Sequence, residues 1–269
     1  MTSRHDGLGQ AARARPRARP GARVGEDAGV SDEPVEIGHD AATTVLRART
    51  TVRAVALVLH GGAEHGQERI RPWSHAFLRM MPFARALHRA GRAHGLEVRL
   101  LRNRVRGWNK PHLHPVHDAR EALAEIHRSR PDAPVVLIGH SMGGRVALRV
   151  ADDPSVVAVC ALAPWTTEKD WVEPVSGVRV LIAHGTQDVI TSPEASYEYA
   201  LRADRVTEVV RAEVRREGHA LLRRPGTWTR LVQGFTLDSA GIGLRNGQRE
   251  PFLTSAWDLP VSDRLRVRV

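Results

Sequence analysis

The 269-residue sequence predicts an α/β fold with a mostly parallel central sheet and helices on both faces, and three observations carry that expectation. Short apolar, β-branched runs alternate with helix-like stretches of about ten to twenty residues, a pattern that implies right-handed crossovers between parallel strands. At 134–151 a buried apolar run meets a glycine-flanked serine and passes at once into a helix-like stretch. Two later strands run into loops that carry an acid and a histidine, where α/β sheets present reactive groups.

In chain order, residues 1–33 are rich in Arg, Ala, Gly and Pro without apolar periodicity and are expected to form a disordered basic arm. Residues 34–236 are expected to form one domain. Its first elements are an antiparallel pair at 35–37 and 43–49, joined through Gly38-His39-Asp40. A buried strand at 52–59 ends in His60-Gly61-Gly62. A helix over 74–94 places Phe77, Met80, Met81, Ala84, Leu87 and His88 on one stripe, with Pro82 marking a kink or a later start. A strand at 97–103 and a helix at 115–127 precede the central strand and the serine turn. Further strands are expected at 156–163, 178–183 and 206–215, with helices at 193–203 and 219–235. Residues 237–269 lose the alternation, and their pattern predicts neither an edge segment nor disorder over the other.

Composition excludes several functions. No stretch of eighteen apolar residues exists, so no transmembrane helix is expected, and the N-terminus lacks the apolar region or Arg-Arg pair of an export signal, which makes the cytoplasm the expected compartment. The formal net charge of +10 invites a nucleic-acid reading, but only two of the forty basic residues are lysines, Lys110 and Lys169, which points to coding bias. Residues 1–24 carry six arginines against Asp6 alone, half of the net charge, and the rest is interleaved with acids. Nucleic acid is therefore not expected as a partner of the domain, and contact with it would be limited to the arm. Cys160 lies in an apolar run and reads as a core thiol.

The spacing at Gly139-His140-Ser141-Met142-Gly143-Gly144 has a chemical reason. A serine at the tip of a tight strand-to-helix turn sits in strained backbone, so the positions two before and two after must lack bulk. The following helix points its N-terminus at Ser141, which suits charge developing on an oxyanion. Taken alone, the motif also fits a buried strand, a glycine turn and an ordinary helix cap. Later strands supply partners: 178–183 runs into His184-Gly185-Thr186-Gln187-Asp188, and 206–215 runs into Glu217-Gly218-His219. The order serine, acid, histidine is that of hydrolases of this fold.

With Leu59-His60-Gly61-Gly62, these motifs resemble the α/β-hydrolase superfamily over residues 35–236, in a compact form similar to actinobacterial serine esterases and dienelactone-hydrolase-like proteins. The chain departs from true dienelactone hydrolases in carrying serine, not cysteine, and from haloalkane dehalogenases and epoxide hydrolases in lacking aspartate at the turn. The resemblance implies hydrolysis of small esters by Ser141 as nucleophile, His219 as base and Asp188 as the group that orients it, with no metal or organic cofactor. Backbone N–H groups of Met142 and of Gly62, with Ala63 as second choice, would hold the oxyanion. Thioester hydrolysis, acyl transfer and a non-catalytic binding role remain as alternatives, and the oligomeric state is not legible.

Other candidates have plainer readings. His60 and His184 stand at strand ends as packing or bracing groups, and His140 is expected beneath the turn. His112, His114, His117 and Asp118 have a spacing that could bind metal, but Pro115 breaks the segment and a polar helix entry explains it. Trp165 and Trp108 are the candidates for lining a substrate pocket. Only fourteen residues separate Ala163 from Val178, too few for a helical lid, so an open site and small substrates are expected.

Overall fold

The structure is a computed structural model, and it describes residues 41–242 and 255–269. The strands are β1 Ala42–Leu46, β2 Ala54–Leu59, β3 Leu96–Arg102, β4 Val135–His140, β5 Val156–Leu162, β6 Arg179–Gly185, β7 Val209–Val214 and β8 Val267–Arg268. They form one sheet in the order β1-β3-β2-β4-β5-β6-β7-β8, parallel except where β1 runs antiparallel to β3. The helices are α1 His75–Gly91, α2 His114–Ser129, α3 Met142–Arg149, α4 Pro193–Ala203, α5 Pro225–Ser239 and the short α6 Val261–Arg264.

The strand sequences explain the two layers. Successive side chains point to opposite faces, so a run that is apolar throughout must be covered on both sides. In β2, Ala54, Ala56 and Val58 join a core with Phe77, Met80 and Leu87 of α1 and with Trp228, Leu231 and Phe235 of α5. The alternate residues Val55, Leu57 and Leu59 pack on the other face with Leu123 and Ile126 of α2, Val146 of α3 and Tyr199 of α4. Register then aligns the functional ends: Leu59 pairs with Gly139, Gly139 with Ala161 and His140 with Leu162.

One expectation is corrected, one falls outside the described residues, and one open choice is resolved for the described residues. β1 pairs with β3 across Leu46↔Val98 to Ala42↔Arg102, and the expected partner at 35–37 lies outside the described residues, as do the arm at 1–33 and residues 243–254. The last large helix begins at Pro225, not at residue 219, because Leu221 has φ 61 and the backbone before it is held open by Glu217. The C-terminal stretch returns to the sheet: β8 lies parallel to β7, the Arg215 N–H donates to the Val269 carbonyl, and Leu265 is buried in the core. No helix among the described residues is long and apolar enough to cross a membrane.

Candidate active site

The turn after β4 places Ser141 at φ 57 and ψ −119, a conformation that side-chain-bearing residues rarely adopt. Its N–H donates to the Leu162 carbonyl at 2.9 Å, and its own carbonyl accepts from Gly144, Arg145 and Trp165 at 3.1, 3.2 and 3.1 Å. Close approach dictates the glycines. A Cβ at Gly143 would stand 2.5 Å from the Leu59 carbonyl oxygen, and one at Gly139 would collide with the Gly143 carbonyl.

The loops after β6 and β7 bring the other two residues to the serine. The Gln187 N–H donates to the Glu217 carbonyl at 2.9 Å and ties one loop to the other. His219 Nε2 lies 3.0 Å from Ser141 Oγ, and its Nδ1 lies 2.8 Å from Asp188 Oδ2. Asp188 Oδ1 accepts the N–H groups of Ile190 and Thr191 at 2.8 and 3.0 Å, while Oδ2 also faces Thr191 Oγ1 at 2.9 Å. Burial disfavours its charge, but hydrogen bonds from His184, His219, Thr191 and Ile190 win and hold the carboxyl well below the usual carboxylate range. With Asp188 ionised, the proton of His219 sits on Nδ1 and a lone pair faces Ser141, the arrangement a base needs.

Three buried groups keep this geometry. His140, 4.8 Å from the His219 ring, donates Nε2–H to the His219 carbonyl at 2.9 Å, and its burial and the His219 charge lower its pKa to about 3. His60 donates Nδ1–H to Gly61 O and accepts the Asn103 N–H on Nε2 at 3.1 Å. Glu217 accepts N–H groups from Gly218 and Arg224 at 2.9 and 2.8 Å, closing the base of the His219 loop.

The backbone N–H groups of Met142 and Gly62 make no hydrogen bond within the described residues, whereas Ala63 spends its N–H on the Arg106 carbonyl at 3.1 Å. Of the two choices after β2, Gly62 is therefore the free donor. Trp165 is half-buried beside Ser141, while Trp108 is only 2% exposed and offers a ligand almost no surface. The two rings meet edge to face at 6.2 Å, and the Arg145 guanidinium lies against both, 4.5 Å from the Trp108 ring and 4.6 Å from the Trp165 ring. The four-residue polar cluster does not converge: Asp118 is taken by Arg104, His114 faces Asn109, and no metal-competent cluster exists among the described residues.

Sequence reasoning did not single out Thr191, Arg145 or Arg211. Thr191 follows Asp188 by three, the spacing of a side chain that caps its own turn, and that signal was available. Arg145 and Arg211 carry no such signal, because an arginine's buried partners are distant in sequence.

A sequence model of the alpha/beta hydrolase family matches residues 56–266. The chain belongs to that family. Among curated proteins no sequence matches it. Three solved structures illustrate the likeness of fold in this alpha/beta hydrolase. The esterase Est2 of Thermogutta terrifontis, butyrate bound, is 17% identical with a TM-score of 0.57, covering 80% of this chain and 94% of that one. Est1E of Butyrivibrio proteoclasticus, with ferulic acid bound, is 14% identical with a TM-score of 0.55, covering 75% and 96%. XC6422 of Xanthomonas campestris, an α/β serine hydrolase without lid, is 19% identical with a TM-score of 0.53, covering 72% and 92%.

Proposed function

We propose that this alpha/beta hydrolase cleaves carboxylic esters of small soluble substrates through an acyl-enzyme on Ser141. The observation that carries the reading is the continuous chain from Ser141 Oγ through His219 to Asp188, at 3.0 and 2.8 Å, on a strained turn. Ser141 Oγ attacks the carbonyl carbon while His219 Nε2 takes its proton. The tetrahedral oxyanion rests on the N–H groups of Met142 and Gly62, and His219 returns the proton to the departing alcohol. Water, deprotonated by His219, then attacks the acyl-enzyme, and His219 returns that proton to Ser141 Oγ as the acid leaves. No step calls for a metal or an organic cofactor.

The connection between β5 and β6 supports the choice of small substrates. Its one helical segment is the short turn Glu173–Val175, and it is pinned by Arg145 on Asp170 at 2.8 Å and by Arg202 on the carbonyls of Asp170 and Thr167. A loop fixed by two arginines makes a static wall, with Trp165 toward the serine and Trp108 behind it. The relatives named above for esterase activity or for lacking a lid support this choice.

Labelling with a fluorophosphonate probe tests the reading. Wild type takes up label and Ser141→Ala does not; a folded wild type that stays unlabelled, or a variant that labels equally, refutes it. Turnover of short p-nitrophenyl esters above that of acyl thioesters then supports ester over thioester hydrolysis, and the reverse ranking overturns that choice.

A further inference from the structure

Asp188 faces two histidines. His184, the last residue but one of β6, has a fully buried side chain whose Nε2 lies 3.2 Å from Asp188 Oδ2, the oxygen that also receives His219, and 3.3 Å from Thr191 Oγ1. Its other nitrogen, Nδ1, lies 2.9 Å from Ser196 Oγ on α4. Behind Ser196 stands Arg211 of β7, only 2% exposed, whose Nε–H donates to Ser196 Oγ at 3.2 Å and whose Nη2 covers the Pro193 carbonyl at 2.9 Å.

The charge on Asp188 decides the tautomer. Arginine only donates, so Ser196 Oγ accepts from Arg211 and has one hydrogen to give. A lone pair on His184 Nε2 would face the ionised Oδ2 and repel it, so that nitrogen carries the ring's proton. Nδ1 is then an acceptor; the Ser196 hydroxyl also lies 2.8 Å from the Pro193 carbonyl, but Arg211 Nη2 already serves that carbonyl, so the one Ser196 hydrogen is available to Nδ1 at 2.9 Å. The result is a run of contacts from Arg211 through Ser196 and His184 to Asp188, in which His184 Nε2–H points at the carboxylate.

We infer that His184 is a positioning residue of the proposed hydrolase, which fixes Asp188 Oδ2 and shares its charge with His219, and that Ser196 and Arg211 hold His184 in the tautomer this requires. The inference rests on the proposed ester hydrolysis for its effect on rate, but not for its geometry. Sharing has two consequences. Oδ2 stays in line with His219 Nδ1, which keeps the base oriented. The carboxylate charge available to a protonated His219 is also reduced, because hydrogen bonds from His184 already draw on it. Asp188, His184 and Thr191 face His219 from β6 and its following loop, His140 faces it from β4, and Glu217 precedes it in its own loop. Arg79 of α1 acts on His140, while Arg211, balanced by Glu213 and Glu194, acts on His184.

The test compares wild type with His184→Phe, His184→Gln and Ser196→Ala, each shown to be folded by circular dichroism. His184→Phe removes the donor and His184→Gln returns an amide N–H near Nε2, whereas Ser196→Ala frees the tautomer without touching Asp188. The first readout, independent of turnover, is the low-field proton signal of His219 Nδ1–H. It moves further downfield in His184→Phe, less so in Ser196→Ala, and back toward wild type in His184→Gln. The second is kcat/KM against pH on a p-nitrophenyl ester, where His184→Phe lowers kcat by about 10²-fold and moves the acid limb to higher pH. An unmoved signal in both His184→Phe and Ser196→Ala overturns the inference, as does a lower kcat with an unshifted limb. Failure of wild type to label with fluorophosphonate while the signal moves refutes the hydrolase reading and leaves the shared carboxylate standing.

Discussion

Glu217 Oε2 receives the indole N–H of Trp228 at 3.1 Å, across the foot of the loop that carries His219. The same carboxylate takes the N–H groups of Gly218 and Arg224, so one side chain joins the end of β7, both ends of the loop and the first turn of α5. A negative group there also suits the positive end of the helix.

Replacing Glu217 by Ala leaves buried donors without partners, and we expect a loss of about 3 kcal/mol in urea unfolding, with Glu217→Gln losing less. Burial raises the Glu217 pKa, but the N–H groups of Arg224, Gly218, Trp228 and Arg223 outweigh it and lower the value below 4.5. A depressed carboxylate stabilises fully above its unfolded pKa and loses that contribution as pH falls through the folded one. The gap between wild type and Glu217→Gln should therefore be widest above about pH 4.5 and narrow below it. A gap constant with pH would show that charge has no part in the clamp.

Gly62 occupies a gap bounded by the Arg106 carbonyl and the Met142 thioether, whose Sδ would lie 2.7 Å from an added Cβ. Gly62→Ala must displace the loop, and with it the proposed oxyanion donor. The expected result is a fall in kcat of about 10²-fold to 10³-fold with a stability loss of about 1–3 kcal/mol. Unchanged kcat would remove Gly62 from the oxyanion site.

The parts of this site that were legible are those where chemistry demands a local pattern. Ser141 is flanked by Gly139 and Gly143 because a sharp turn needs them, and Asp188 and His219 follow strands because sheet topology delivers loops to one edge. Pairings decided by distant residues left no such trace. β1 joins β3 more than fifty residues away, and β8 is only two residues long, too short to print an alternation. The helix start was misread because Leu221 and Leu222 continue an apolar phase, while the true start is the proline at 225. Arg145 carries no local signal of burial, since Asp170 and the two tryptophans are distant from it in sequence.

That arginine gives the third prediction. Arg145 is 5% exposed, paired with Asp170 at 2.8 Å, and lies against both the Trp108 and Trp165 rings. Arg145→Leu leaves Asp170 buried without its cation, a change expected to cost about 3–5 kcal/mol. Arg145→Lys keeps the charge but loses the planar stack, so it should retain most stability while raising KM through a loosened Trp165. KM equal to wild type in a folded Arg145→Lys would remove Trp165 from the substrate wall.

His60 ties the active-site edge to acid stability. It is 1% exposed, donates to Gly61 and accepts from Asn103, so its neutral form completes both bonds. Burial lowers its pKa to about 4, with the Gly61 carbonyl opposing and the Arg102 charge assisting. An unfolded chain takes up this proton below 6.5 and the folded protein does not until about 4. Between those values the unfolded state binds more protons, so stability falls with falling pH, by about 1.4 kcal/mol per pH unit for one such group. His140, lowered to about 3, acts with the same sign over a wider window. His60→Gln keeps a donor and an acceptor but cannot titrate. Its urea midpoint should fall less steeply than that of wild type from pH 6.5 to 4, and the two curves should run parallel above 6.5. Equal slopes throughout would mean that His60 is already free to protonate in the folded protein.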